Sequence, residues 1–223
     1  MDFKKCITKG KIAAILVVAI LLIDQAIKIW VKTHMALHEN IHITDWFYIA
    51  FIENNGMAYG MQLGSKLLLS LFRLVAISGL IYYLWLQVHR QARMGYLVVI
   101  SMILAGAIGN LIDCMFYGLI FDASTNYSIA GLVPFGEGYS SFLMGKVVDM
   151  FYFPLIVTTY PEWSPINAGE EFIFFSPVFN FADAAISVGV ALLVIFYRKE
   201  LNELSLKKKV TEQKGAIEQP PKL

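Results

Sequence analysis

Charge is what this chain has least of: Asp, Glu, Lys and Arg make up 16% of its 223 residues, against roughly 25% in a soluble domain. With 57% hydrophobic residues, that shortage excludes an ordinary soluble protein and leaves a polytopic membrane protein. The two cysteines, Cys6 and Cys114, are too few for a disulfide framework. The topology derived below puts them on opposite sides of the membrane. A net charge of +1 argues neither for nor against nucleic acid, and no nucleic-acid partner is expected. No internal repeat is detectable. No A-x-A-like site follows the first apolar stretch, so that stretch is expected to stay as a membrane helix rather than leave as a signal peptide. No apolar segment precedes Cys6 in this sequence, so it is not expected to be a lipid-attachment site.

What the chain does have is apolar length. Four stretches, about 12–31, 67–88, 96–117 and 178–197, approach the roughly 20 residues that cross a bilayer. Lys4, Lys5, Lys9 and Lys11 precede the first, and His89, Arg90 and Arg93 lie between the second and third. Arg198, Lys199 and Lys207-Lys208-Lys209 follow the fourth. The positive-inside bias puts both termini and the short middle loop in the cytoplasm, and the loops 32–66 and 118–177 outside. The expected fold is an all-α polytopic membrane protein, four transmembrane helices with a small extracytoplasmic β-rich element. Residues 1–200 form one membrane-embedded domain, and 201–223 form a charged cytoplasmic tail expected to be disordered. The aromatic and β-branched run Ile41–Ile52 predicts short strands, closed by the turn signal Glu53-Asn54-Asn55-Gly56.

Several polar residues interrupt the apolar sequence. Asp24 and Lys28 are one turn apart on a helix face and can pair, a structural lock rather than direct chemistry. Asn54 and Gly56 sit in a turn beside the membrane, which an ordinary turn would also explain. Gly106-Ala107-Ile108-Gly109 permits close helix packing, but packing needs neither Asn110 nor Asp113, three apart on one face. Asp183 lies just inside the last apolar stretch with Asn180 three residues before it. Asp149 lies in an apolar segment that could fold back against the bilayer. An ionisable group in such surroundings is a functional hypothesis by default. Two carboxylates that meet share a proton, one activating water while the other hydrogen-bonds a scissile carbonyl. Each acid alone can also be read as an interfacial carboxylate facing water. An ion-coupled transporter using the same acids is the rival reading.

His38-Glu39-Asn40-Ile41-His42 matches H-E-x-x-H, with His34 at the same interval. The zinc chemistry of that motif needs a helix to bring both histidines to one face. The following sequence is strand-like, which would separate His38 from His42 by about 13 Å. The match reads as chance.

Taken together and in order, the motifs resemble the lipoprotein signal peptidase (signal peptidase II) family from the first span to the last. The family's D-Q-x-x-K resembles Asp24-Gln25 with Lys28, and its N-x-G-x-A-[FY]-G resembles Asn54 through Gly60. G-N-x-I-D-R resembles Gly109 through Asp113, G-x-V-V-D-F resembles Gly145 through Met150, and F-N-x-A-D-x-x-I resembles Phe179 through Ile186. The resemblance implies an aspartic endopeptidase with a catalytic pair at Asp149 and Asp183. It further implies Asn54, Gly56, Asn110, Asp113 and Asn180 at the substrate site, and no metal or cofactor. The implied substrate is a prolipoprotein cut before its diacylglyceryl-modified cysteine, by an enzyme of the bacterial cytoplasmic (inner) membrane that acts near the outer face among membrane lipids. Two departures stand out. Cys114 replaces the family's arginine, with Arg73 in the second span as a candidate substitute. Residues 118–144 intervene as an insertion, making Asp122 a competitor for the first catalytic position, though Asp149 fits the pattern better.

Overall fold

The computed structural model describes residues 3–55, 66–163, 165 and 167–200. Gly56, the rest of its motif to Gly60, and the tail from residue 201 lie outside the described residues. Helix α1 runs Phe3–His34. Its polarity is inverted relative to a soluble helix. Asp24, Lys28 and Lys32, spaced four apart on one face, are fully buried, while Ile15, Val18 and Leu22 are 68%, 53% and 67% exposed. Such a helix is stable where the outside is hydrocarbon and the inside supplies polar partners.

Helix α2 is Lys66–His89 and α3 is Met94–Ile112. The path of α3 continues through a widened π-type turn, Asp113–Tyr117, into the single turn α4, Gly118–Ile120. Among the described residues, three helices are long and apolar enough to cross a membrane: Ile7–His34, Lys66–His89 and Met94–Ile120.

The fourth apolar stretch is shorter than the sequence suggests. Val178 and Phe179 belong to a strand, and α5 is Phe181–Phe196, 16 residues. At 1.5 Å per residue it is about 24 Å long, short of the ~30 Å hydrocarbon core. The reason is local: Asn180 caps the helix and Phe179 pairs with Phe151 in a sheet, so the helix cannot begin earlier. Helix α5 lies against α3 at Gly106, where an added Cβ would collide with the Ala182 carbonyl.

The β-rich element takes in strands beyond the Ile41–Ile52 run that the sequence pointed to. Strands β1 (Asn40–Thr44), β2 (Phe47–Asn54), β3 (Val147–Tyr152) and β6 (Val178–Phe179) form one antiparallel sheet in that order. Strands β4 (Ile156–Thr159) and β5 (Glu171–Phe174) form a separate hairpin. The segment carrying Asp149 is thus a sheet strand, with Asp149 opposite Ile52 and Val147 opposite Asn54. It does not fold back on the bilayer as an isolated stretch, because β2 satisfies its backbone. Phe51, Val148, Met150, Val31, Met35, Tyr117 and Phe121 form the core joining sheet to helices.

Candidate active site

The site is assembled where the sheet meets the start of α5. Asn180 accepts the Asp183 backbone N–H at 2.9 Å, and the Asp183 carboxylate accepts the Asn180 N–H at 3.5 Å. This reciprocal cap fixes both side chains at one helix end. Two amides then link the two acids, and a third holds Asp149. The Asn180 Nδ2 donates to Asp149 Oδ1 at 2.7 Å and to Asn110 Oδ1 at 3.1 Å. The Asn110 Nδ2 donates to Asp183 Oδ1 at 2.7 Å, and the Asn54 Nδ2 donates to Asp149 Oδ2 at 3.2 Å. Asp149 is 3% exposed. Burial pushes its carboxyl up to about 7, with the nearby Asp183 charge adding to the rise and the Asn54 and Asn180 donors opposing it.

Beneath this chain lies an ionic cluster. Lys28 Nζ contacts Asp24 Oδ2 and Asp113 Oδ2, each at 2.9 Å, and donates to Asn110 Oδ1 at 2.9 Å. Asp24 Oδ1 accepts the Ala182 N–H at 2.9 Å, so α1 helps cap α5. Asp113 is fully buried, and its oxygens accept from Gln25 Nε2 (2.9 Å) and the Val148 N–H (3.3 Å) as well as Lys28. An added Cβ at Gly109 would lie 2.7 Å from Asp24 Oδ2, so only glycine admits this close approach.

The structure therefore brings Asn54, Asn110, Asp149, Asn180 and Asp183 together over Asp24, Lys28 and Asp113. It places Asp122 elsewhere: exposed in the inserted segment, its Oδ1 accepts the Gly131 N–H at 2.7 Å. Arg73 Nη1 donates to Cys114 Sγ at 3.2 Å, bringing a guanidinium to the position where the family pattern carries arginine. The histidines share no helix face. His38 occupies a turn with φ of 68°, His42 is on β1, and His34 stacks on Trp30 at the end of α1. Among the described residues no group of three His, Cys, Asp or Glu side chains is placed to hold a metal ion.

Sequence reasoning missed Gln25 as a participant, and missed Lys32 entirely. Gln25 donates to Asp24, Asp113 and the Gly109 carbonyl and accepts the Tyr117 hydroxyl. The signal for Lys32 was present: it extends the four-residue spacing of Asp24 and Lys28 along one face. Hydropathy alone hides it, because the apolar run of the first span ends at Val31.

The chain has clear relatives. The profile of the signal peptidase (SPase) II family matches residues 16–198. The lipoprotein signal peptidase of Porphyromonas gingivalis is 49% identical over 218 residues, covering 97% of this chain and 96% of the relative. That of Amoebophilus asiaticus is 36% identical over 197 residues, 85% of this chain and 79% of the relative. A bacterial membrane enzyme solved by the in meso method at 1.9 Å resolution is 22% identical, with a TM-score of 0.54 over 83% of this chain and 91% of that one. At that identity the likeness shows a shared fold.

Proposed function

Because the chain belongs to the signal peptidase II family, we propose that it removes the signal peptide from diacylglyceryl-modified prolipoproteins, with Asp149 and Asp183 as an aspartic catalytic pair. The observation that carries the chemistry is the amide chain through Asn180 and Asn110 that ties the two carboxylates into one network. The pair holds one proton, resting mainly on Asp149, whose carboxyl ionises near pH 7. Asp183 takes a proton from water as the water oxygen attacks the scissile carbonyl, and Asp149 gives its proton to the carbonyl oxygen. Collapse of the tetrahedral intermediate breaks the C–N bond. The proton taken by Asp183 goes to the departing amine, and the diol proton returns to Asp149.

Asn54 and Asn180 orient Asp149, and Asn110 orients Asp183. Asp113, with its oxygens taken by Lys28, Gln25 and Val148, acts as a positioning residue beneath the site rather than as a substrate ligand. The substrate's signal helix and acyl chains partition into the bilayer, each buried CH₂ contributing about 0.8 kcal/mol. Binding thus requires no large soluble pocket. In this reading α5 with its flanks completes a fourth crossing. Both termini are cytoplasmic, and the sheet rests at the outer face of the inner membrane. An ion-coupled transporter is disfavoured because the polar residues gather at one end of the helices instead of along a path.

The test is cleavage by purified enzyme of a diacylglyceryl prolipoprotein alongside its unmodified precursor, with the products mapped by mass. The expected outcome is a single cut before the lipidated cysteine and little cleavage of the unmodified chain. Equal cleavage of both precursors would contradict the substrate assignment.

A further inference from the structure

The inserted segment is ordered and densely bonded. The Leu37 N–H donates to the Thr125 carbonyl at 3.0 Å, Ser70 Oγ donates to the Leu143 carbonyl at 2.8 Å, and the Gly145 N–H donates to the Cys114 carbonyl at 2.9 Å. It thereby joins the end of α1, α2 and the widened turn after α3. Against it lies a second buried charge cluster that the catalytic proposal does not use. Lys32 is fully buried, and its ammonium contacts Glu53 Oε1 and donates to Ser124 Oγ at 2.9 Å. Its remaining side faces the rings of Tyr139, Phe121 and Phe51 at 4.9, 5.4 and 6.0 Å. Ser124 in turn donates to Glu53 Oε1 at 3.1 Å, and Lys146 Nζ reaches Glu53 Oε2 at 2.9 Å. Tyr139 closes the ring, its hydroxyl accepting the Lys146 backbone N–H at 2.6 Å.

The location gives the cluster its consequence. Glu53 precedes Asn54, the last residue of β2, whose amide donates to Asp149. Lys146 precedes β3, which carries Asp149. Successive strand residues point to opposite faces, so Glu53 can be gripped from one side while Asn54 meets Asp149 on the other. We propose that segment 118–145 is a positioning clamp: through Ser124, Tyr139 and Phe121 it completes the Lys32–Glu53–Lys146 cluster and so holds the ends of β2 and β3 with Asn54 against Asp149. The clamp rests on the aspartate reading above. Burial pushes the Glu53 carboxyl up, but Lys32 and Lys146 outweigh burial and keep it below the usual range, as a persistent anion requires.

Two variants of the full-length enzyme test this. The double variant Lys32→Met/Glu53→Met replaces a buried ion pair with apolar side chains, an exchange that commonly preserves stability. Ser124→Ala removes one partner and disturbs the fold least. Asp149 faces Asn54 from β2, Asp183 and Asn180 from α5, and Lys28 from α1, with Asp113 beneath the same strand at the Val148 N–H. Of these only the Asn54 contact depends directly on the clamp.

The expected result in both variants is a kcat loss of about tenfold or more with KM unchanged, as a small misplacement produces. The alkaline limb of the pH profile should move upward, because the Asn54 donor that lowers the Asp149 carboxyl is no longer held. Unchanged kcat and pH profile, with only a lower Tm, would overturn the clamp and leave a purely structural cluster. Asp149→Asn, assayed alongside, separates the claims: its inactivity beside unaltered clamp variants overturns the clamp alone, and its retained turnover overturns both.

Discussion

Asp149 is the residue whose surroundings matter most. A carboxyl 3% exposed, beside a second acid, is held up to about 7 by burial first and the Asp183 charge second. In the proposed mechanism a monoprotonated pair is the active form, so activity is present below that value and lost as the shared proton leaves above it. The expected kcat/KM profile therefore falls on an alkaline limb near pH 7, measurable with a lipidated peptide across pH 5–9. A profile flat from 7 to 9 would count against Asp149 as the proton carrier. The same scale shows how a departure from a motif can be accommodated. Where the family pattern has arginine after the aspartate, this chain has Cys114, and Arg73 from α2 brings its guanidinium to the sulfur at 3.2 Å. The sequence suggested Arg73 only by its depth in the second span. The contact itself joins residues on different helices and could not be read locally.

At the scale of elements, the site depends on the approach of α3 and α5. Gly106 faces the Ala182 carbonyl with no room for a Cβ, and Gly109 abuts Asp24, whose carboxylate caps α5. A Gly106→Val substitution should push α5 outward and separate Asn110 from Asp183. The expected outcome is a lower Tm in detergent, by overpacking that costs about 1–3 kcal/mol, together with strongly reduced turnover. Wild-type Tm and turnover in this variant would show that the close packing is dispensable.

Which elements were legible follows the same physics. The helices and the strands β1 and β2 were readable because their periodicity is local. So was the start of α5 in principle, since Asn180-x-x-Asp183 is the reciprocal cap pattern. Hydropathy masks that start, because Val178, Phe179 and Phe181 flank Asn180 with apolar side chains. The pairing of Asp149 opposite Ile52 was not readable, because strand register between distant segments depends on tertiary context. The clustering around Glu53 was not readable for the same reason: its partners Ser124 and Lys146 lie about 70 to 95 residues further along the chain.

At the scale of the whole molecule, the chain turns soluble-protein logic inside out. Apolar side chains cover the helices while Asp24, Lys28, Lys32 and Asp113 are buried between them. Exposing such a helix surface to lipid costs nothing, and the buried ions persist because each is paired. The buried charges gather at one end, where the sheet meets the helices. The proposed function needs this distribution, with water and acids at one level and hydrocarbon below for a substrate that arrives through the bilayer.

The measurement that tests the account most directly is cleavage of a diacylglyceryl prolipoprotein by wild type, Asp149→Asn and Asp183→Asn reconstituted in the same lipid, with membrane insertion verified for each. Near-isosteric replacement keeps the side-chain shape and one acceptor oxygen at each position while removing the proton chemistry. The account predicts normal insertion and loss of turnover by about 10²–10⁴-fold or more in both variants. Turnover near the wild-type rate in either one would contradict the catalytic pair.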